Sequence, residues 1–300
     1  MLIQWYPGHM AKARRMLQEN LKLIDVVVEV VDARAPAATR NPDFDALFQG
    51  KTRVILLNKS DLADPSLVKA WVQAYRAEGI LAQDIVSTTN SGKKAAVALI
   101  EQAAAPRVAK MKERGVKKTV RVLIAGIPNV GKSTFINRIA GANRAEVGDK
   151  PGVTKGKQWV KITPYLELMD TPGLLWPKLD NESYAKHLAY LGSIKDDIMD
   201  VERLAAELLQ ELLTLCPENV TKRYAKLAIS TPLDEILLRV AESRAFLLSG
   251  GELDTERAAR VVLDEFRAGK IGRITLERPE RRSGAAEEEK KETESHGKDF

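Results

Sequence analysis

Apolar positions along the chain follow two rhythms. Short unbroken runs have the length and β-branched content of buried strands: "DVVVEVVDAR" from Asp25, "RVILL" from Arg53 to Leu57, a stretch near Ile85 in "ILAQDIVST", "TVRVLIAGI" and "YLELMDTPG". Between them the spacing becomes helical. Met10, Ala13, Leu17, Leu21 and Ile24 recur every three or four residues, as do Leu67, Ala70, Trp71, Ala74 and Tyr75, and the same spacing runs through "KKAAVALIEQAAAPRVAKMKERG" and "KSTFINRIAG". Strand alternating with helix predicts an α/β fold with a mostly parallel sheet covered on both faces.

After about Trp176 the strand rhythm stops. "VERLAAELLQELLTL", "LDEILLRVAESRAFLL" and "DTERAARVVLDEFRAGKIG" are helical in period; Gly250 and Gly251 break the series, and Asp254 is placed to cap the last helix. The pattern predicts an α/β domain over residues 1–176 that begins with a basic amphipathic helix within 1–22, then an all-helical domain over 177–282. The remainder, "SGAAEEEKKETESHGKDF", has almost nothing to bury and is expected to be a disordered tail over 283–300.

Composition adds a compartment and a partner class. With 44% hydrophobic and 29% charged residues among 300, the chain reads as a soluble protein, and no apolar run reaches the roughly 18 residues of a spanning helix. The start, "MLIQWYPGHMAKARR", has no apolar block followed by a small-residue cleavage site, so no secretory signal is expected. The single cysteine, Cys216, cannot form an internal disulfide and suits a reducing compartment, and no membrane partner is expected because no amphipathic apolar anchor or lipidation motif is visible. A net charge of +6 points to an anionic partner, because a basic surface attracts phosphate backbones. Three stretches could supply that contact: Lys12 to Arg15, Lys222 to Lys226, and the basic residues from Arg267 onward. A solvated helix face accounts for each equally well.

The sharpest local signal is "GIPNVGKST", Gly126 to Thr134, directly after a predicted strand and directly before a predicted helix. Backbone N–H groups of Asn129, Val130, Gly131 and Thr134, at the positive end of a helix, are expected to wrap a phosphate chain. Lys132 is expected on the β- and γ-phosphates and Ser133 on Mg²⁺. Thr154 in "PGVTKG" and Asp170 in "DTPG" supply the further oxygens expected around the metal, and the Gly173 N–H is expected on the γ-phosphate. These two segments read as nucleotide-sensitive switches.

A second signal lies earlier in the chain. In "NKSD", Asp61 can accept from the ring N–H and amine of guanine, Asn58 can brace neighbouring loops, and the Lys59 stem can cover the base. Adenine presents an acceptor where guanine donates, so Asp61 would select GTP as substrate. Ser87 and Thr88 are the candidates for a third base contact. Base-reading motifs that precede the phosphate loop imply a circular permutation, which an open parallel sheet tolerates because spatial neighbours, not chain rank, position its loops.

These motifs, with "IQWYPGHMAKA", "DVVVEVVDARAP", "DTPGLLWPK" and "GGELDTERAARVVLDEFRAGKIGRITLERP", resemble the circularly permuted GTPases of ribosome assembly, most closely the YlqF family. The resemblance covers nearly the whole chain apart from the last eighteen or so residues. It implies a cytoplasmic GTPase that docks on the large ribosomal subunit late in assembly, with the C-terminal helices on ribosomal RNA. It also implies that Asn129 helps hold an activating K⁺. The residues after Gly173 are Leu174, Leu175 and Trp176, so no side chain there can hold the attacking water. His9 is a candidate for that task, and equally for a polar contact at the helix start or an RNA contact. The competing reading is a GTP-regulated RNA- or protein-binding module that acts outside ribosome assembly.

Overall fold

The computed structural model describes residues 8–115, 119–141, 158–163, 165–171, 173–176 and 179–280. Helix α1 (Gly8–Asn20) leads into β1 (Val26–Asp32), and the short α2 (Asp43–Leu47) leads into β2 (Thr52–Asn58). Helix α3 (Pro65–Ala77) precedes β3 (Leu81–Asp84), and the long α4 (Asn90–Glu113) returns the chain to β4 (Val120–Ala125). After α5 (Lys132–Ala140) come β5 (Gln158–Thr163) and β6 (Leu166–Asp170). Among the described residues six strands lie in the order β3-β2-β1-β4-β6-β5, parallel except for the edge strand β5, which runs antiparallel to β6.

The alternation of side chains along β2 shows why both faces are covered. Val54 and Leu56 join the core that holds Ala96, Leu99 and Ile100 of α4, whereas Ile55 and Leu57 join Val68, Trp71, Val72 and Tyr75 of α3 on the opposite face. All seven residues of β1 are buried, as expected of a central parallel strand. From β3 the chain crosses back to β4, and from β4 it proceeds to the opposite edge. The carboxyl end of β4 is therefore a topological switch point, the place where open α/β sheets hold ligands.

Beyond β6 the described elements are helical: α6 (Glu182–Tyr190), α7 (Val201–Leu215), α8 (Pro217–Arg223), α9 (Leu233–Ser243) and α10 (Thr255–Arg267). Asp254 caps α10 by accepting from Arg257 N, as its sequence position predicts. Helix α9 stops earlier than expected. Phe246 N bonds Ala241 O and Leu247 bridges to Leu253, turning the apolar "AFLL" back on itself instead of extending the helix.

After α10 the chain does not leave the body. Residues 270–280 form no helix or strand, yet Ile271, Ile274, Thr275, Leu276 and Glu277 are buried against the loops that follow β1 and β2. This strap links the end of the helical half to the sheet.

Candidate functional site

Between β4 and α5 the loop Gly126–Gly131 turns its backbone around the helix N-terminus, with Asn129 at φ 63° and Gly131 at φ 96°. Glycine is required at 131 for two reasons: the left-handed φ, and a Cβ that would lie 2.3 Å from Asn58 Nδ2. Val130 is fully buried, while Ser133 and Thr134 stay partly open in the first turn of α5. Lys132 is buried, and its Nζ donates to Ile127 O at 2.6 Å, which folds the ammonium across its own loop. Backbone N–H groups, a helix dipole and one ammonium converge here, the arrangement that attracts a polyphosphate.

Asn58 ties this loop to the rest of the site. From the buried end of β2, its Nδ2 donates to Val130 O at 2.8 Å and its Oδ1 accepts from Ser87 N at 3.0 Å. One side chain thereby holds together the loops that follow β2, β3 and β4. Lys59, in left-handed conformation at φ 60°, donates from Nζ to Asn129 O at 2.7 Å and pairs with Asp32 Oδ2 at 2.9 Å. Asp61 lies in the 3-10 turn Ser60–Leu62 and faces solvent. Capping of α3 falls instead to Asp64, whose Oδ1 accepts from Ser66 N and Leu67 N, so Asp61 has no structural duty at that helix. Ser87 is buried and Thr88 exposed beside it.

On the other side of the phosphate loop, β6 ends at Asp170, in register with Ile124 of β4. Thr171 Oγ1 donates to Ile124 O at 2.7 Å and Leu174 N to Gly126 O at 3.2 Å, stitching this segment to the loop. Gly173 packs so closely that a Cβ would come within 2.7 Å of Pro128 N. Leu174 and Leu175 are buried, and Asn41 Nδ2 holds Leu174 O at 2.8 Å. Neither leucine offers a group to water. Thr154, together with the side chains of His9 and Asp170, lies outside the described residues.

Several residues that complete the site carry no signal in their own neighbourhood. Arg34 forks onto Asp32, Nε to Oδ1 at 2.9 Å and Nη2 to Oδ2 at 2.8 Å, in full burial. Burial opposes a charge on Asp32, but Arg34 and Lys59 outweigh it and hold the carboxyl far below the ordinary range. The remaining Arg34 nitrogen donates to Phe266 O and Arg267 O, the carbonyls at the end of α10. Asn129 Nδ2 donates to Gly192 O at 2.6 Å and Ser193 Oγ to Pro128 O at 3.0 Å, so the segment after α6 also reaches the phosphate loop. Apart from its part in the family resemblance, "DAR" reads in the sequence as the end of a strand; its partners become visible through the fold.

All three basic stretches are partly engaged within the protein, the first through Arg14, which pairs with Asp43 at 3.1 Å. Arg223 pairs with Glu265, and Arg267 forks onto Asp196 while donating to Ala189 O and Tyr190 O. Lys222, Lys270 and Arg278 remain exposed.

Residues 121–228 match the family described as "50S ribosome-binding GTPase". Over 281 residues the chain is 43% identical to ribosome biogenesis GTPase A of Priestia megaterium, covering 93% of this chain and 98% of that protein. Ribosome biogenesis GTPase A of Thermotoga maritima is 36% identical over 279 residues, 93% of this chain and 95% of its own. The solved structure of GNP-bound YlqF from T. maritima superposes with a TM-score of 0.62 at 31% identity, over 90% of this chain and all of that one. A GDP-bound YlqF structure gives 0.64 at the same identity over 89% of this chain.

Proposed function

This chain belongs to the ribosome biogenesis GTPase A (YlqF) family and hydrolyses GTP, and from that premise we propose that it serves as a switch in assembly of the large ribosomal subunit. In the GTP state it binds the immature subunit and its RNA, and hydrolysis releases it. The phosphate-binding domain takes residues 1–176 in circularly permuted order and the helical residues 177–282 carry RNA contacts; the expected tail, 283–300, lies outside the described residues. Among the described residues no helix is long and apolar enough to cross a membrane, and we place the protein in the cytoplasm.

The observation that carries this reading is the Asn58 bridge, which gathers the loop bearing Asp61, the loop bearing Ser87 and the phosphate loop into one cluster. In that cluster Asp61 reads guanine, the Lys59 stem covers the base, and Ser87 and Thr88 close the base pocket. Asn129, Val130, Gly131 and Thr134 surround the phosphates with backbone N–H groups, Lys132 neutralises the β- and γ-phosphates, and the Gly173 N–H contacts the γ-phosphate. Ser133, Thr154 and Asp170 offer hydroxyl and carboxylate oxygens, hard donors that suit Mg²⁺. Ser133, in the open first turn of α5, fits that duty. When bound there, Mg²⁺ would supply charge neutralisation to the phosphate chain.

Because Leu174 and Leu175 are buried and apolar, the water-orienting group comes from elsewhere. We assign it to K⁺ held with Asn129, to His9, or to the ribosomal partner, and hydrolysis is slow until that group arrives. GTP turnover measured with and without immature large subunits, in K⁺ and in Na⁺, tests the whole reading. Expected are stimulation by the subunit, faster turnover in K⁺, and co-sedimentation that strengthens with a non-hydrolysable GTP analogue. Equal rates in both salts remove the K⁺ role, and unchanged basal and stimulated turnover in His9→Ala removes the histidine. Absence of subunit binding favours a module acting outside ribosome assembly.

A further inference from the structure

The strap takes its partners from the base-reading region. Ile274 N donates to Leu62 O at 3.0 Å and Leu276 N to Arg34 O at 2.7 Å. Thr275 Oγ1 donates to Ala33 O at 3.2 Å and accepts from Asp64 N at 3.1 Å. The Glu277 carboxylate accepts from Ala37 N at 2.6 Å and Ala38 N at 3.1 Å. An irregular buried segment must satisfy its backbone polar groups somewhere, and here it does so on the loop that follows Asp32 and the loop that carries Asp61.

Arg273 stands apart from its buried neighbours. Its side chain is partly exposed and outside the apolar core, yet Nε donates to Ala63 O at 3.0 Å and Nη2 to Ser60 O at 3.0 Å. Ser60 begins the 3-10 turn, Ala63 caps it, and Asp61 sits between them. The planar fork of one guanidinium thus grips both ends of the turn. Such a turn holds itself poorly, because its internal hydrogen bonds are badly aligned. The residue before it, Lys59, adopts a left-handed φ that a side chain disfavours, so the turn depends on outside support.

We propose that Arg273 is a positioning residue for guanine recognition: by clamping the turn that presents Asp61, it makes docking of the strap and binding of the nucleotide strengthen each other. The proposal rests on Asp61 as the guanine contact. Linkage makes the effect reciprocal, since a strap that orders the base loop raises nucleotide affinity by the same factor by which the nucleotide tightens the strap. Arg34 adds a second tie, because it holds Asp32 against Lys59 while bonding the last carbonyls of α10. A partner that lifts the strap from the sheet thereby loosens the guanine end and promotes nucleotide release.

The test uses the full chain with Mg²⁺. Arg273→Ala should raise the Kd for GDP by about fivefold to tenfold, the range expected when charge-assisted hydrogen bonds at a partly exposed site are lost. Arg273→Lys, which supplies charge without the fork, should fall in between, and KM for GTP should rise more than kcat falls. Hydrogen exchange reads the reciprocal effect: GDP should slow exchange at the Ile274 and Leu276 amides in the parent chain, and less so in Arg273→Ala. Asp61→Asn checks the underlying reading separately. A carboxamide offers one donor and one acceptor, which matches xanthine, so preference should move from GDP to xanthosine diphosphate. Without that switch the base assignment falls, and the proposal with it. With the switch present, a GDP Kd within twofold of parent in Arg273→Ala and strap exchange indifferent to GDP overturn the clamp alone.

Discussion

Replacing His187 with glutamine should make stability less dependent on pH above neutrality. His187 is buried on α6, with Nδ1 at 2.8 Å from Glu277 Oε1 on the strap and Nε2 at 2.9 Å from Glu211 Oε1 on α7. The Tyr190 ring, one turn along the same helix, is its aromatic neighbour at 6.1 Å. Both ring nitrogens face carboxylate oxygens, which only the doubly protonated imidazolium satisfies. Burial opposes that charge, but the two glutamates prevail and raise the pKa from 6.5 to about 9. A shift of that size corresponds to about 3 kcal/mol of stability, a large share of the roughly 5–15 kcal/mol that holds a domain folded.

The sign follows from proton counting. Below pH 6.5 both folded and unfolded histidine are protonated, and the stabilisation is complete. Between 6.5 and about 9 the folded state keeps a proton that the unfolded state has lost, so stability falls by about 1.4 kcal/mol per pH unit. Above about pH 9 the contribution is gone. Urea unfolding of parent and His187→Gln from pH 6 to pH 10 measures the difference. The gap should be about 3 kcal/mol at pH 6 and should close as pH rises through 9. A gap of constant size across that range refutes the imidazolium bridge and leaves His187 as a packing residue.

Other outcomes follow from the same geometry. Asn58→Ala leaves Val130 O and Ser87 N without their buried partner, and should lower the stability measured by urea unfolding by about 2–4 kcal/mol while weakening GDP binding. Gly173→Ala drives a Cβ to within 2.7 Å of Pro128 N, and calorimetry should show at least about tenfold weaker binding of a GTP analogue with GDP affinity much less affected. Partial burial pushes the Cys216 thiol from 9.0 up to about 11, so a disulfide reagent at pH 8 should modify it about tenfold more slowly than an unstructured peptide thiol, the smaller thiolate fraction being partly offset by the higher nucleophilicity of the more basic thiolate. A fast, stoichiometric reaction would contradict that burial.

The parts of the fold legible in the chain are those decided locally. Strand length and β-branching marked β1, β2 and β4, and a contiguous loop between strand and helix marked the phosphate site. A single residue, Asp254, marked the start of α10. Less was legible where local preference was weak. Leu81–Asp84 ends before Ile85, and the edge strand β5 carries Trp159, Lys161 and Thr163 in a mixed pattern that raised no strand expectation. The basic stretches were ambiguous for a related reason. Whether Arg223 and Arg267 face solvent or meet Glu265 and Asp196 depends on which helices pack together, and the charge alone carries no record of that.

Sequence by itself marked this protein as a GTPase, because the backbone wrapping of an anion and the reading of guanine by a carboxylate, as proposed for Gly126–Thr134 and Asp61, each require a few residue types at fixed short spacing. Only the tertiary structure decided how those pieces are braced: Asn58 across to Val130 and Ser87, Arg34 onto Asp32 and the end of α10, and Arg273 onto both ends of the turn that carries Asp61. These contacts join residues far apart along the chain, and they form because a parallel sheet brings the carboxyl ends of its strands to one edge, whatever their order in the sequence.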